Sequence, residues 1–300
     1  MQSIINYLKE PRLIFVGLLK KINFLFSDKL YLRIMFYLRM KEKLNLDSPQ
    51  TFNEKLQWLK LYDRNPIYVN LVDKVKVKEY VENVLSSDVI IPTLGVWKSF
   101  EEIDFSKLPN QFVLKTNHSG GNTGVVICKN KASFDYVGAK KRLERSLKTN
   151  PYKTTKEWPY KNVIPCILAE KYIEDDRGIL EDYKFWCFNG RVECVFICEG
   201  RNSNRSVFFN FYNREWKRLP FAQGGPTSDE IRPKPAKLDL MIRYAEQLAK
   251  DKRFVRVDFY YVDSRIYFGE ITFFDSSGFG VFKPKGWDLE FGKLLNLKEQ

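Results

Sequence analysis

Two acidic residues in a strongly apolar stretch near the end of the chain have the spacing of a divalent-metal site. Asp258 lies in FVRVDFYY, residues 254–261, and Glu270 lies in RIYFGEITFF, residues 265–274. The alternating pattern predicts two paired β-strands, with Arg256 and Asp258 on one face. Neighbouring carboxylates repel each other unless a cation joins them, and oxygen ligands suit Mg²⁺ that also bridges nucleotide phosphates. The two strands therefore predict a magnesium site.

The length of the connecting turn decides whether these groups meet. A three-residue loop, 262–264, places Arg256 opposite Glu270 and puts Arg256, Asp258, Glu270 and Thr272 on one face. A two-residue turn shifts the pairing by one residue and puts Glu270 on the opposite side from Asp258. A competing hypothesis is a cross-strand ion pair between Arg256 and Glu270, with Asp258 in solvent.

A glycine-rich loop between two predicted strands is a second candidate site. TNHSGGNTG, residues 116–124, separates FVLK, residues 112–115, from the β-branched run VVIC, residues 125–128. The chain contains neither GxxxxGK[ST] nor GxGxxG, and a strand rather than a helix follows the glycines, which disfavours P-loop and Rossmann folds. A glycine-rich hairpin can cover a triphosphate, because residues without Cβ let backbone N–H groups approach phosphate oxygens. The alternative is a plain turn.

The composition excludes several classes of protein. The chain has 300 residues, 44% hydrophobic residues and a net charge of +13, which indicates a folded protein with an anionic partner. One histidine, His118, and five cysteines without a CxxC pair disfavour a zinc site and a serine–histidine triad. The odd cysteine count favours free thiols in a reducing compartment, so we expect a cytoplasmic protein. The cysteines are Cys128, Cys166, Cys187, Cys194 and Cys198.

Helices and hairpins are predicted around these two candidate sites. Apolar residues recur at helical spacing in four segments, and Asn189-Gly190 is a strong hairpin signal between two apolar runs. The predicted helices are 51–61, 73–84, 135–147 and 238–252. The predicted strands and hairpins are 112–115, 125–128, 166–173, 183–197, an aromatic hairpin at 207–219, and 254–274.

The beginning of the chain is a basic helical segment. Residues 1–46 carry nine Lys or Arg against three acidic residues, interleaved with aromatic and aliphatic side chains. The apolar run Leu13 to Leu19 is too short to span a bilayer, and no small-residue cleavage site follows it. We expect residues 1–50 to form a helical preface packed on the core. The alternative for residues 1–46 is a basic amphipathic face that contacts a membrane, at its cytoplasmic side, or an acidic polymer.

Taken in order, the polar residues of these segments resemble the ATP-grasp superfamily, and most closely its TupA-like branch, which is named for teichuronopeptide synthesis and occurs among bacterial surface-polysaccharide genes. The resemblance extends from about Phe52 to Leu295. The stretches that carry it are VDKVKVKEYV, FVLKTNHSGG, AEKYI, DYKFWCFNG and FVRVDFYYVDSRIYFGEITFFDSSGFG.

The resemblance implies an α+β fold in which two subdomains with antiparallel sheets clasp ATP. The catalytic region would be residues 51–300, with a glycine-flap subdomain at about 105–170. The resemblance implies that the residues that contact ATP are Lys74, Lys115, Ser119, Gly120, Gly121, Asn122, Glu170 and Lys184, with Glu170 beside the adenine or ribose. Asp258, Glu270 and Thr272 would hold magnesium. Thr272 stands where the superfamily usually has Asn, and a hydroxyl is a weaker ligand.

The implied reaction converts a carboxylate into an acyl phosphate, which an amine then attacks to give an amide. Lys115 and Arg256 are the candidate catalytic residues, because cations offset charge on the transferring phosphoryl group and a guanidinium suits a carboxylate. The implied substrates are a uronic acid or acidic glycan and an amino compound. A glycosyltransferase is the alternative enzyme, although the chain lacks a convincing DxD motif. The charge also suggests a nucleic-acid-binding protein, but the acidic pair disfavours stable binding of nucleic acid.

Overall fold

The structure is a computed structural model that describes residues 12–121, 123–175, 180–199 and 207–297. The predictions for residues 1–11 and for Asn122 lie outside these ranges. The α-helices are α1 Arg12–Lys21, α2 Asp28–Met40, α3 Phe52–Tyr62, α4 Tyr68–Leu71, α5 Val77–Val84, α6 Tyr136–Leu147, α7 Pro151–Thr155, α8 Leu238–Ala249 and α9 Gly286–Leu294. The strands are β1 Thr93–Trp97, β2 Phe112–Thr116, β3 Val125–Cys128, β4 Ile167–Lys171, β5 Glu181–Phe188, β6 Arg191–Glu199, β7 Phe208–Tyr212, β8 Phe254–Val262 and β9 Arg265–Thr272.

The strands form two antiparallel sheets, as the ATP-grasp resemblance implied. The small sheet has the strand order β1-β4-β2-β3, and the large sheet has the order β7-β6-β5-β8-β9. Strands β5 and β6 meet at the predicted turn, where Asn189 and Gly190 have φ of 48° and 82°. Such positive φ values match the right-handed twist of the strands and favour Asn-Gly. No helix within the described ranges has the length and apolarity needed to cross a bilayer.

Each sheet has its own hydrophobic core. Phe52 begins α3 and packs its ring against Trp186, Phe254 and Phe291 of the large-sheet unit. The predicted helix at 51–61 is confirmed and begins with a capping box, in which the Thr51 and Glu54 side chains satisfy each other's backbone N–H groups. The small-sheet core is separate and consists of residues that include Phe112, Leu114, Leu143 and Ala169. The two sheets therefore present independently packed platforms for polar side chains.

The aromatic segment 207–219 forms the predicted hairpin only in part, because the chain turns back but its second arm is not a strand. Only β7 is a strand, and it pairs with β6, while Tyr212 makes a single bridge to Arg218. Trp216 has φ of 64° and stacks on Tyr212 at 4.2 Å, which closes a tight turn. The second arm is limited to two backbone hydrogen bonds, from Asn213 N to Lys217 O at 2.9 Å and from Leu219 N to Phe211 O at 2.8 Å.

The hairpin of β8 and β9 has a two-residue turn, which is the second of the two alternatives that the sequence left open. Val262 pairs with Arg265, and Asp263 and Ser264 form the turn with φ of 48° and 61°. This turn alone would place Glu270 opposite Val257, on the wrong side of the sheet. A bulge changes the register: Phe259 pairs with Phe268, but Asp258 pairs with Glu270.

The extra residue of this bulge is Gly269, and it restores the shared face. Because Gly269 has no ladder partner, Asp258 lies directly opposite Glu270, and Arg256 opposite Thr272. A Cβ on Gly269 would lie 3.0 Å from the carbonyl oxygen of Asp258. Glycine therefore allows the close backbone approach at the point where the two carboxylates are aligned.

We expect Gly269→Ala to lower the free energy of unfolding by about 1–2 kcal/mol, because the added methyl forces the Asp258 backbone to move. Urea unfolding measures the change. The control is Gly286→Ala, since a Cβ there has no neighbour within 4 Å. Gly286 lies at the first position of a helix, so alanine should be neutral or stabilising. Equal effects of both substitutions would contradict the steric role of Gly269.

Candidate active site

Asp258 and Glu270 meet at the centre of a buried cluster of charged groups. Arg256 joins them: its Nε and Nη2 donate to Asp258 Oδ1 and Oδ2 at 2.7 and 2.8 Å, and Nη2 also lies 2.6 Å from Glu270 Oε1. Its Nη1 donates to Asp275 Oδ1 at 2.7 Å. One guanidinium thus contacts three carboxylates, because its five N–H donors in a planar fork can be shared among them.

The competing hypothesis is correct about the ion pair between Arg256 and Glu270 but wrong about the exposure of Asp258. Arg256 and Glu270 do pair across the strands. Asp258, however, is only 2% exposed rather than in solvent. A buried carboxylate needs several cationic or hydrogen-bonding partners, and Arg256 supplies two of them.

Lys184 is the second cation at the pair. It lies on β5 directly opposite Asp258, with which it forms an ion pair, and its Nζ is 2.8 Å from Asp182 Oδ2. Burial by itself lowers the pKa of Lys184, but Asp182 and Asp258 raise it above the ordinary value. Lys184 therefore remains charged near neutral pH.

Lys74 connects the carboxylate pair to the glycine loop. Its Nζ lies 3.7 Å from Glu270 Oε2 and donates to the carbonyl oxygen of Ser119 at 2.7 Å. Burial lowers the pKa of Lys74, and nearby Lys115 adds to this effect, while Glu270 opposes it. The pKa of Glu270 is well below its ordinary value, because the attraction of Lys74, Arg256 and Lys184 outweighs the effect of burial.

The small sheet adds a second cluster of charges. Glu170 on β4 binds two lysines, with Oε1 2.6 Å from Lys78 Nζ and Oε2 2.6 Å from Lys115 Nζ. Burial acts to raise the pKa of Glu170, but Lys115 and Lys78 lower it to about 2. Burial likewise acts to lower the pKa of Lys115, and Glu170 raises it above the ordinary value. Glu170 and Lys115 are therefore charged near neutral pH.

The start of the glycine loop is held by hydroxyl groups. Thr116 Oγ1 donates to Ser119 Oγ at 2.7 Å and lies 2.7 Å from Ser146 Oγ on α6. A Cβ on Gly124 would lie 2.1 Å from Thr116 Oγ1, so this hydroxyl cluster fits only beside glycine. Gly120 and Gly121, in contrast, are exposed, and a Cβ on either has no neighbour within 4 Å. The tip of the loop is thus open to a ligand, while its base is fixed.

The side chains at the carboxylate pair fit a hard divalent cation by donor type. Asp258 and Glu270 provide carboxylate oxygens from directly opposed positions, and the Thr272 hydroxyl donates to Glu270 Oε1 at 3.2 Å. Oxygen-only ligands of this kind suit Mg²⁺. Both oxygens of Asp258 contact cationic groups, whereas Glu270 Oε2 has Lys74 only at 3.7 Å. Glu270 is accordingly the more accessible of the two carboxylates.

The structure brings together most of the residues predicted from sequence, and it adds three. Lys74, Lys184, Arg256, Asp258, Glu270 and Thr272 form one cluster, and Lys115 and Glu170 form the other. Lys78, Asp182 and Asp275 were not predicted as site residues, although each contacts a predicted one. A signal existed for Lys78, which follows Lys74 by one helical turn, and for Asp182, which shares a strand face with Lys184.

A buried lysine supports the loop that carries Asp275. Lys60 on α3 is 0% exposed, and its Nζ donates to Thr155 O at 2.8 Å and to Ser277 O at 2.9 Å. Ser277 Oγ donates to Glu157 Oε1 at 2.6 Å. Ser276 and Ser277 both have positive φ, 48° and 54°, a conformation that costs energy in residues with a Cβ. The Lys60 contacts therefore hold a strained loop next to Arg256.

The pKa of Lys60 predicts a pH-dependent stability. Burial lowers the pKa of Lys60 to about 7, so between about pH 7 and 10 the unfolded chain keeps a proton that the folded chain has released. The free energy of unfolding should therefore rise with pH in this window relative to Lys60→Met, by up to ~1.4 kcal/mol per pH unit. Urea unfolding at several pH values measures the difference. Lys107→Met, at an 83% exposed side chain, is the control and should give a flat difference; a flat difference for Lys60→Met would contradict the prediction.

Comparison with solved structures finds ATP-grasp enzymes at low identity. D-alanine–D-alanine ligase from Bacillus anthracis, complexed with ATP, is 17% identical with a TM-score of 0.39, and the match covers 68% of this chain and 53% of that one. The same ligase from Helicobacter pylori is 14% identical (TM-score 0.43; 83% and 70% covered). N5-carboxyaminoimidazole synthetase from Staphylococcus aureus, complexed with ADP, is 16% identical (TM-score 0.44; 82% and 56% covered). The chain thus spans little more than half of the B. anthracis and S. aureus structures.

The comparison with protein families gives a match over most of the chain. No curated protein matches the chain. The family model described as TupA-like ATPgrasp matches residues 54–296. This range begins in α3 and ends beyond α9, so it contains both sheets and both charged clusters. The chain belongs to the TupA-like ATP-grasp family.

Proposed function

We propose that the protein is an ATP- and Mg²⁺-dependent carboxylate–amine ligase: ATP converts the carboxylate into an acyl phosphate and ADP, and the amine then displaces inorganic phosphate to give the amide. The observation that carries this proposal is the direct opposition of Asp258 and Glu270, surrounded by Lys74, Lys184 and Arg256. Family membership supports it. Opposed carboxylates beside several lysines suit a triphosphate with its metal, because both signs of charge are needed there.

We propose that Asp258, Glu270 and Thr272 hold the magnesium, which supplies charge neutralisation at the phosphates when bound. Lys74, Lys115 and Lys184 are the proposed phosphate-binding cations, and the glycine loop, with Ser119 at its fixed base and then Gly120, Gly121 and Asn122, is proposed to cover the phosphates. Glu170 is proposed to lie beside the adenine or ribose. Since it binds both Lys78 and Lys115, this one carboxylate orients two lysines.

Arg256 and Lys115 are the proposed catalytic residues. Arg256 is 13% exposed at its side chain and already holds Glu270, so it can bind the substrate carboxylate or the acyl phosphate by exchanging one carboxylate partner for another. Lys115 can stabilise charge on the transferring phosphoryl group while Glu170 fixes its position. Neither role needs a protein nucleophile.

We propose a bacterial surface polysaccharide as the product, formed from a uronic acid or acidic glycan and an amino compound, with catalysis in the cytoplasm. The +13 net charge supports an anionic substrate. All five cysteines are free thiols, which supports a reducing compartment.

Mass spectrometry of ADP-forming reactions with a panel of uronic acids and amines tests the proposal. The expected result is an amide product formed in equal amount to ADP and only in the presence of Mg²⁺ and both substrates. Sugar transfer from a sugar nucleotide without ATP cleavage would instead identify a glycosyltransferase. Salt-sensitive oligonucleotide binding without ATP cleavage would identify a nucleic-acid-binding protein.

A further inference from the structure

The first two described elements expose a group of large apolar side chains, here named the N-terminal apolar surface. It consists of Ile14, Phe15 and Leu18 on α1 and of Phe24 and Leu25 in the short 3₁₀ helix that follows. These side chains are between 51% and 76% exposed. A surface helix normally presents polar residues to solvent, because only its inward face gains from apolar burial.

The inward face of α1 is already buried against the rest of the protein. Val16 and Leu19 are buried in a core cluster with Tyr31 and Phe36 of α2. Positions 14 and 18, one helical turn apart, therefore point away from that core. Seven of the nineteen large hydrophobic side chains that are exposed in the described ranges lie between residues 14 and 37. Such a concentration marks an interaction surface rather than scattered exposure.

Basic side chains border this surface. Lys20 and Lys21 end α1 and precede Phe24, Lys29 and Arg33 lie in the first turns of α2, and all four are exposed. The acidic groups of residues 12–46 are neutralised by lysines from elsewhere: Asp28 Oδ1 lies 3.4 Å from Lys156 Nζ, and Glu42 Oε1 lies 2.5 Å from Lys285 Nζ. The border is therefore strongly positive, and burial together with the nearby Arg39 lowers the pKa of Lys20. An anionic partner would relieve the repulsion between Lys20 and Arg39.

We propose that the N-terminal apolar surface binds the surface of an anionic lipid bilayer. Phe15, Phe24 and the aliphatic side chains would enter the boundary between headgroups and acyl chains, while the lysines contact the anionic headgroups. The protein would lie on the bilayer. This arrangement would hold the carboxylate pair near membrane-bound substrates, although the binding itself does not depend on the proposed ligase reaction.

The charge of the border favours a bilayer over a second copy of the chain. A symmetric dimer would bring the same patch of each copy together, and Lys20, Lys21 and Lys29 of both copies would then crowd at one interface. Like charges in such an interface cost free energy, whereas anionic lipids compensate each lysine.

Sedimentation with vesicles tests the proposal on the full chain. The wild type should bind vesicles of phosphatidylcholine with about 30% phosphatidylglycerol at about 0.1 M salt, and should not bind phosphatidylcholine alone. The double variant K20Q/K21Q should weaken binding about 25-fold, at about fivefold per lysine. The double variant F24S/L25S should weaken it at least tenfold, because the inserted apolar area is lost.

Matched variants at distant exposed positions are the controls. V137S/I231S removes two apolar side chains that are each 80% exposed, and K107Q/K293Q removes two exposed lysines. Both should bind vesicles like the wild type, and all four variants should keep the wild-type melting temperature. Absence of vesicle binding by the wild type, or equal losses in the control variants, would overturn the proposal. So would a dimer in light scattering that F24S/L25S dissociates, since the surface would then join two copies of the chain.

Discussion

Glu270→Gln is expected to lower Mg²⁺-dependent ADP formation by roughly 10²–10³-fold, the scale seen when one electrostatic contact to a reacting group is removed. Glutamine keeps the shape of the side chain but loses the charge that attracts the cation. Because the Glu270 side chain is 29% exposed, its loss should cost only about 1 kcal/mol of stability. A coupled assay of ADP formation and thermal unfolding of the same samples separate the two effects.

The control for this prediction is Glu290→Gln on α9, which neutralises a 57% exposed glutamate paired with Lys293. It should leave both activity and stability unchanged. Asp258→Asn should lose activity as Glu270→Gln does, and it should also destabilise the fold, because Asp258 is buried between Arg256 and Lys184. Undiminished activity in both Asp258→Asn and Glu270→Gln would remove the metal-site assignment.

Arg256→Met is expected to lower the free energy of unfolding by about 3–5 kcal/mol, which is the usual cost of removing one partner from a buried ion cluster. The side chains of Asp258 and Asp275, each 3% exposed, would lose their shared guanidinium. Methionine has a similar length, so the loss reflects charge and hydrogen bonds more than volume. Urea unfolding at neutral pH measures the change.

Two further variants test whether the loss of stability in Arg256→Met arises from the buried carboxylates that lose their partner. Arg191→Met removes an arginine that is 67% exposed and paired with Glu193, and it should change stability by less than about 0.5 kcal/mol. Asp275→Asn added to Arg256→Met should recover part of the loss, because one uncompensated carboxylate disappears. A stability within about 1 kcal/mol of the wild type for Arg256→Met would show that the cluster does not support the fold.

Local sequence patterns were sufficient to predict most of the helices and strands that carry the site. The helical spacing of apolar residues in α3, the Asn189-Gly190 turn and the alternation in β8 act over a few residues, so they could be interpreted without knowledge of the fold. The hairpin register could not be derived in the same way. The turn at Asp263-Ser264 and the bulge at Gly269 each shift the pairing by one residue, and only their combination aligns the carboxylates. An isolated glycine within a strand was the available signal for the bulge.

The partners of the predicted residues depend on tertiary structure. Lys78 and Glu170 are 92 positions apart in sequence, and Lys60 reaches Glu157 through Ser277. No periodicity or motif links such positions, because the contacts arise only when helices pack on sheets. For the same reason the sequence indicated which residues bear charge but not that Arg256 holds three carboxylates at once.

The separate cores of the two sheets have a consequence for the order of folding during synthesis. All four strands of the small sheet lie between Thr93 and Lys171, so this unit can complete its core as soon as that continuous stretch has left the ribosome. Phe52 must instead wait for Phe254 and Phe291, about two hundred residues later. The nascent chain should therefore carry a finished small unit while the apolar face of α3 still lacks its partners.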